Sequence, residues 1–368
     1  MPRFWQGYIG LQTCTSTTRS RRMKIALIHY RLILRGGLER RLINYSQWLQ
    51  EQGHEVHIIV AKSSGEVTLP EGVQLHILSP GLMPKVFRQR YFDHLLGRFM
   101  RHNHFDKSLS LMRTSHQDAV LCPGNHLGFL KANGRRARTL SDREQIRADQ
   151  LAFQRSKVVL AASKMMANEA IGWYHTPAEK VHILHPPVND HLFHPELKQQ
   201  QAVLRERYGL PADKRLFLFV SSSHKRKGLP LLLRCFAQAT DTDSVLVIAG
   251  LPKVLSDLPN VIDLQFIPQM EELYAAVDFT IHPATYEPFG QIVSESLCCG
   301  TPVIVSDMVG AAEIIGNKEG LVIPLADEKL WLDTIRTIRQ EAFHIAPGVA
   351  ERKGLLVSQH MERMLDVI

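Results

Sequence analysis

Glu287 and Glu295 stand on either side of a glycine in the stretch His282-Pro-Ala-Thr-Tyr-Glu287-Pro-Phe-Gly290-Gln-Ile-Val-Ser-Glu295-Ser-Leu-Cys-Cys-Gly300-Thr-Pro-Val-Ile-Val. The pattern reads strand, loop, helix, loop, strand, with Gly290 opening the helix and Gly300 where a C-terminal glycine belongs. The first amides of such a helix have no partner within it, and the helix dipole adds positive potential. Phe289, Gly290 and Gln291 therefore offer an anion site. Glu287 precedes the helix, and Glu295 lies about 7.5 Å beyond Gly290 at the usual rise. One carboxylate on each side of a phosphate-sized pocket suits an extended ligand with polyols at both ends and a diphosphate between them. Taken alone, two glutamates at this spacing are more often solvated side chains of a loop and a helix.

Two further segments bear on the same chemistry. Ser221-Ser-Ser-His-Lys225-Arg226-Lys227-Gly228 follows a strand and precedes a helix. Three consecutive cations are usually a solvated turn, but at the cleft edge of a strand they can clamp a diphosphate on which negative charge develops. Arg35-Gly36-Gly37-Leu38-Glu39 lies between the first strand and the first helix. Its two glycines admit close backbone approach to a ligand, although a plain tight turn accounts for them equally well.

These segments need a scaffold that brings strand ends together. From Met23 onward strands and helices alternate. Strands are predicted at Lys24–Tyr30, Val56–Ala61, Val73–Leu78, Ala119–Cys122, Val158–Ala162 and His182–Leu184. After His185-Pro186-Pro187-Val188-Asn189 the rhythm restarts, with strands at Leu216–Val220, Val245–Ala249, Val261–Phe266, Phe279–His282 and Pro302–Ser306. Helices fall at Leu229–Ala239, Met270–Val277 and Gln291–Cys299. The fold class is α/β: two doubly wound, Rossmann-like domains facing a cleft, at residues 23–188 and 189–368, with the last helix expected to pack back on the first domain. At 368 residues two cores are the natural expectation. Ligands of such sheets sit beyond the carboxyl ends of the strands.

The segment around Glu287 resembles the Glu-x7-Glu signature of retaining GT-B glycosyltransferases of family 4. The likeness runs from Asn260 to Glu313 and includes Phe266-Ile-Pro, Leu273-Tyr-Ala-Ala-Val-Asp278 and Gly300-Thr-Pro-Val-Ile. It implies that Glu287 contacts hydroxyls of the transferred sugar and Glu295 those of the ribose. Amides from Phe289, Gly290, Gln291 and Ile292 would meet the diphosphate, and the backbone at Ile267 would face the base. Arg226 and Lys227 are similar to the family's cation pair, in the adjacent Arg-Lys-Gly form of lipopolysaccharide core glucosyltransferases, although Ser222-Ser223 replace its usual glycine-arginine opening. Gly36 and Gly37 would lie against the donor from the opposite side of the cleft. His126 would face the reacting sugar, as an N-domain histidine does in some members, though the pattern around it is not kept. The resemblance further implies transfer of a hexose from a nucleotide-sugar, UDP-linked by family prevalence, to a glycan or glycolipid of the cell envelope, with a soluble polyol or oligosaccharide as the alternative acceptor. The leaving phosphate would take the acceptor's proton, and no cofactor or divalent ion is needed.

Other signals weigh less. Asp241-Thr242-Asp243 has the form of a metal-binding motif but precedes a strand, at the edge away from the cleft, and is read as a solvated turn. None of the 18 histidines pairs at ligand spacing with a carboxylate, so most are expected at the surface or between domains. The five cysteines are scattered, as for reduced thiols in a cytosolic protein. Residues 1–22 are basic and Thr/Ser-rich without an apolar core, and are expected to be a disordered extension. Residues 1–187 hold 27 Lys/Arg against 13 Asp/Glu, whereas 188–368 hold 17 against 23. Only the first half therefore suits an anionic partner, such as a phosphorylated acceptor or a membrane surface. Along Lys85–Met100, Phe92, Leu95, Leu96 and Phe99 fall at helical spacing among Lys85, Arg88, Arg90 and Arg98. Such a helix either packs its apolar stripe inward or lays it on an anionic bilayer. No apolar run approaches the length of a membrane span, so the expected location is cytoplasmic and peripheral to the inner face of the membrane. A glycosidase would leave the cations without a role, and a nucleic-acid binder would need aromatic platforms or a recognition helix that are not evident.

Overall fold

The computed structural model describes residues 22–33, 37–64 and 67–368. The expected disordered extension therefore lies, but for Arg22, outside the described residues. The first sheet has seven strands: β1 (Lys24–Leu32), β2 (Glu55–Ser63), β3 (Gln74–Ile77), β4 (Lys107–Ser110), β5 (Ala119–Cys122), β6 (Val158–Ala161) and β7 (Val181–Ile183). Their order is β3-β2-β1-β4-β5-β6-β7, and every pairing is parallel. Helices α1 (Gly37–Glu51), α2 (Arg88–His102), α3 (His126–Ala132), α4 (Leu140–Arg155) and α5 (Lys164–Tyr174) cover it. The interiors of β1 and β2 and all of β5 and β6 are buried, as in a sheet covered on both faces.

The second sheet orders β10-β9-β8-β11-β12-β13 and is again parallel. Its strands are β8 (Arg215–Ser221), β9 (Ser244–Gly250), β10 (Val261–Gln265), β11 (Phe279–His282), β12 (Val303–Ser306) and β13 (Gly320–Ile323). With it go α6 (Gln201–Arg207), α7 (His224–Lys227), α8 (Leu229–Ala237), α9 (Met270–Ala276), α10 (Gln291–Cys298), α11 (Glu328–Thr337), α12 (Val349–Arg352) and α13 (Val357–Val367). Strand order reverses between β1 and β4 and between β8 and β11. In open α/β sheets these switch points create crevices beyond the strand ends. The loops that carry the candidate residues start there.

The sequence reading has no strand at β4 or β13. β4 reads Lys-Ser-Leu-Ser, without an apolar run, yet it is central, because its serines are satisfied internally. Ser108 Oγ donates to Asp118 at 2.6 Å, and Ser110 Oγ donates to the Met112 carbonyl at 2.9 Å. Helix α13 leaves the second domain and inserts Met361 and Met364 into the core of the first, beside Tyr45 and Leu49. A third core crosses the domain boundary, joining Phe153, Met166 and Tyr174 to Tyr274, Tyr286 and Phe289.

The bilayer reading of the α2 stripe is corrected. Phe92 and Leu96 are fully buried against Ile28, Ile59 and Ala61, with Phe99 packed alongside. The helix uses its apolar face to close the first domain and leaves Arg88, Arg90, Arg98 and Arg101 outward, with Tyr91 among them. No helix among the described residues is long and apolar enough to cross a membrane.

Candidate functional site

A cavity of about 740 Å³ opens between the carboxyl ends of the two sheets. Its second-domain wall begins at Gly290, which caps α10 in the left-handed conformation (φ +96°). A Cβ there would come within 3.1 Å of Val309 and 3.3 Å of Glu287, so glycine serves both the turn and the close packing. The preceding loop is pinned from below: Glu287 N donates to the Met308 carbonyl at 3.0 Å, and Gly310 N donates to the Glu287 carbonyl at 2.9 Å. The amide end of α10 thus points into the cavity on a fixed support.

The Glu287 carboxylate meets three groups from two strand ends. Arg226 Nη1 donates to it at 3.1 Å, His282 Nε2 lies at 3.6 Å and Lys227 Nζ at 4.0 Å. Burial pushes the Glu287 carboxyl up, but the His282 ring and the charges of Lys227 and Arg226 outweigh it and hold the group at about 2. Burial also lowers the Lys227 ammonium and the His282 imidazole, so the histidine is neutral at physiological pH. The cations hold this carboxylate ionised, which suits it to accept hydrogen bonds from hydroxyls rather than to donate a proton.

Glu295 is one turn further along α10, where its Oε2 accepts from the Tyr274 hydroxyl at 2.8 Å. Burial raises its pKa, against the Tyr274 bond and the charges of Lys227 and Arg40. The two glutamates therefore differ: one is fixed among cations, and the other is costly to ionise until something bonds to it.

The first-domain wall carries Gly37, Leu38, Arg41, Arg113, Asn125 and His126. Gly37 stands opposite Gln291, and a Cβ there would lie 3.6 Å from its Oε1. His126 is buried at the start of α3, with Nε2 2.9 Å from Asp142 Oδ1 and its amide donating to Asp149 Oδ2 at 2.7 Å. Hydrogen bonds from Thr139 and His126 keep the Asp142 carboxyl far below its ordinary range.

The cavity thus gathers Gly37, His126, Arg226, Lys227, Glu287, Phe289, Gly290, Gln291 and Ile292. Glu295 and Ile267 do not line it. Ile267 packs on the core that joins the domains, beside the exposed Phe266. Gly36 lies outside the described residues. Asp241 and Asp243 sit before β9 and are taken up by Arg336 at 3.8 Å, Arg215 at 2.9 Å and Arg339 at 3.7 Å.

Residues 200–342 match the family described as Glycosyl transferases group 1, and residues 35–192 match Glycosyltransferase Family 4. A probable transglycosylase of Burkholderia thailandensis is 32% identical over 342 residues, spanning 90% of this chain and 93% of its own. The chain belongs to the group 1, family 4 glycosyltransferases. A D-inositol 3-phosphate glycosyltransferase of Thermobispora bispora is 29% identical over 220 residues, spanning 52% of this chain and 51% of its own. Among solved structures, WaaG, a glycosyltransferase involved in lipopolysaccharide biosynthesis, superposes with a TM-score of 0.73 at 18% identity, covering 93% and 95% of the two chains. Anabaena HepE in complex with UDP-glucose superposes with a TM-score of 0.70 at 17% identity, covering 94% and 98%. These likenesses place the glycosyltransferase in the GT-B fold.

The sequence reading missed several residues of this glycosyltransferase site. His282 lies in the quoted segment at the cleft end of β11, and that position was its only signal. Arg113 binds Asp149 through Nε and Gln145 through Nη1 at 3.0 Å. It follows β4, so missing the strand hid the residue. Most histidines are expected at the surface or between the domains; among the buried ones, His282 lies at the cleft and His360 packs against Tyr45 of the first domain, while His29, His54 and His57 are buried within the first domain.

Proposed function

We propose that this glycosyltransferase moves a hexose, with retention, from a UDP-sugar to a phosphorylated glycan or glycolipid of the cell envelope. The observation that carries the reading is the Glu287 carboxylate held 3.1 Å from Arg226, 3.6 Å from His282 and 4.0 Å from Lys227, beside the α10 amide end. Diphosphate lies against those amides and the two cations, Glu287 takes hydroxyls of the transferred sugar and Glu295 those of the ribose. The acceptor oxygen bonds to the anomeric carbon on the face from which the phosphate oxygen departs. The electron pair of the broken bond goes to the phosphate, and the acceptor's proton follows to a phosphate oxygen. Arg226, Lys227 and the helix end stabilise the charge that develops. The reading includes no divalent ion, and the aspartates that resemble a metal motif pair with arginines at the far end of β9.

The acceptor side is supported by charge. A groove of about 540 Å³ between α2 and α4 carries Lys85, Arg90, Arg113, Arg147 and Arg155 against Asp93 and Glu144, a cationic excess, and it shares Arg113 and Gln145 with the cleft. That favours an anionic acceptor, and the cationic face of α2 favours work at the inner surface of an anionic membrane. A soluble phosphorylated polyol is the second reading, favoured by the inositol phosphate relatives.

The test is incubation with radiolabelled UDP-glucose and candidate acceptors, following UDP release and the anomeric configuration of the product by NMR. Release that depends on Arg226 and a product of donor configuration support the proposal. Nucleotide bound away from Glu295 in a UDP soak would overturn it.

A further inference from the structure

Both neighbours of Glu287 are anchored in the opposite domain. Tyr286 is 4% exposed, and its hydroxyl donates to Glu169 Oε2 at 2.7 Å. Its ring enters a socket made by α3 and α5. At Gly128 a Cβ would come 2.1 Å from the phenol oxygen and 2.6 Å from Cζ, so only glycine admits the ring. The socket is built for this occupant: Asn125 Oδ1 accepts from Gly128 N at 2.8 Å, while its Nδ2 donates to the same Glu169 oxygen. On the other side, the Pro288 carbonyl accepts from Ser163 Oγ at 2.7 Å, and a Cβ on Gly124 would lie 3.1 Å from the Pro288 ring. Phe289 stacks on His185, 5.5 Å between centroids. Between these anchors the Glu287 side chain turns back to Arg226, Lys227 and His282 of its own domain.

We propose that Tyr286 is a positioning residue whose docking into the Asn125–Gly128–Glu169 socket couples closure of the two domains to the placement of Glu287. Closing the cleft seats the phenol and fixes the main chain on both sides of the carboxylate. Opening the cleft withdraws the ring and frees the loop. The donor contacts assigned to α10 and Glu295 lie in the second domain, and the first domain adds only the backbone contacts assigned to Gly36 and Gly37, so nucleotide binding depends little on whether the socket is filled. The sugar is held for reaction only when it is filled. The inference rests on the proposed role of Glu287 as the sugar-binding carboxylate, whereas the mechanical coupling depends on geometry alone.

Three single variants, one double variant and three readouts test it. Unliganded wild-type protein, Y286F, Y286A and G128A are compared by small-angle X-ray scattering, UDP affinity by calorimetry and kcat for UDP release from UDP-glucose. G128A is expected to scatter as a more open particle and to lose about 100-fold in kcat, the scale on which ångström-sized misplacement acts. Y286F loses one hydrogen bond and should fall about fivefold. UDP affinity should change far less than kcat in all of them, because Tyr286 itself contacts none of the nucleotide and Gly290 to Glu295 are held by α10. Adding G128A to Y286A should cost nothing further, since the ring that needs the space is gone. Coincident scattering curves for wild type and G128A would overturn the proposal. So would UDP affinity falling in step with kcat, or additive effects of the two substitutions. Should G128A not fold, Y286A, which needs no extra room, carries the scattering comparison. A wild type that neither binds UDP nor releases it refutes the donor reading, and the scattering comparison still decides the coupling.

Discussion

Arg226 Nη1 lies 3.1 Å from Glu287 Oε2 and 2.8 Å from the main-chain carbonyl of Tyr286, so one guanidinium holds both a carboxylate and the loop that carries it. Both bonds leave one nitrogen whose direction the planar guanidinium fixes, whereas a lysine ammonium has enough donors but carries them on a flexible stem without that fixed geometry. Arg226→Ala should lower kcat by about 100- to 1,000-fold, the scale of losing a preorganised charge partner. Arg226→Lys should recover only part of that, and steady-state UDP release measures both.

The two glutamates should separate kinetically. Glu295→Ala should chiefly raise KM for the nucleotide-sugar, and Glu287→Ala should chiefly lower kcat. Equal effects on both parameters at both positions would show that the carboxylates do not divide the ligand between them.

Their effects on stability should also have opposite signs. The folded pKa of Glu287, about 2, lies below its ordinary value, so its ionisation stabilises the fold above pH 4.5, and that contribution is lost as pH falls toward 2. Glu287→Gln should therefore destabilise the unliganded protein at pH 7, by up to about 3 kcal/mol. The gap in urea midpoint should narrow as pH drops below 4.5. The Glu295 carboxyl is raised by burial, so ionising it opposes folding at neutral pH. Glu295→Gln should raise Tm of the unliganded protein while weakening UDP binding, which melting with and without UDP would reveal.

Turnover should survive EDTA unchanged. Asp243→Asn should leave kcat intact and lower Tm modestly, through loss of the 2.9 Å pair with the buried Arg215. A requirement for Mg²⁺ or Mn²⁺ would contradict the metal-free mechanism.

Binding to vesicles containing anionic lipid should weaken steeply between 50 and 300 mM salt and fall further in Arg98→Glu and Arg101→Glu, both on the outward face of α2. Equal binding to neutral vesicles would remove charge as the cause.

Legibility tracked how local the determinants were. The alternation of apolar runs and glycine-ended helices gave both sheets, and the Glu287–Glu295 stretch carried its chemistry in contiguous residues. What escaped was held by partners that no spacing pattern points to. β4 is a strand because Asp118 and Met112 satisfy its serines. Arg113 is set by Asp149 and Gln145, and Tyr286 by Gly128 and Glu169, which lie more than a hundred positions away and leave no trace in spacing. The α2 stripe was visible, but its burial depended on strands that the helix itself does not encode.

The return of α13 has a consequence for how the protein is made. Lys107 Nζ holds the Leu365 carbonyl at 2.8 Å, and the His360 ring, bonded to Tyr45, also takes the His185 carbonyl at 2.9 Å. On a ribosome the first domain emerges well before the second, yet it lacks Met361 and Met364 until the second domain has been synthesised. It must wait with a gap in its interior while its neighbour folds. A polypeptide cut near residue 188 would keep that gap permanently, so expressing the halves separately should yield an unstable amino-terminal fragment unless a peptide spanning 357–367 is supplied.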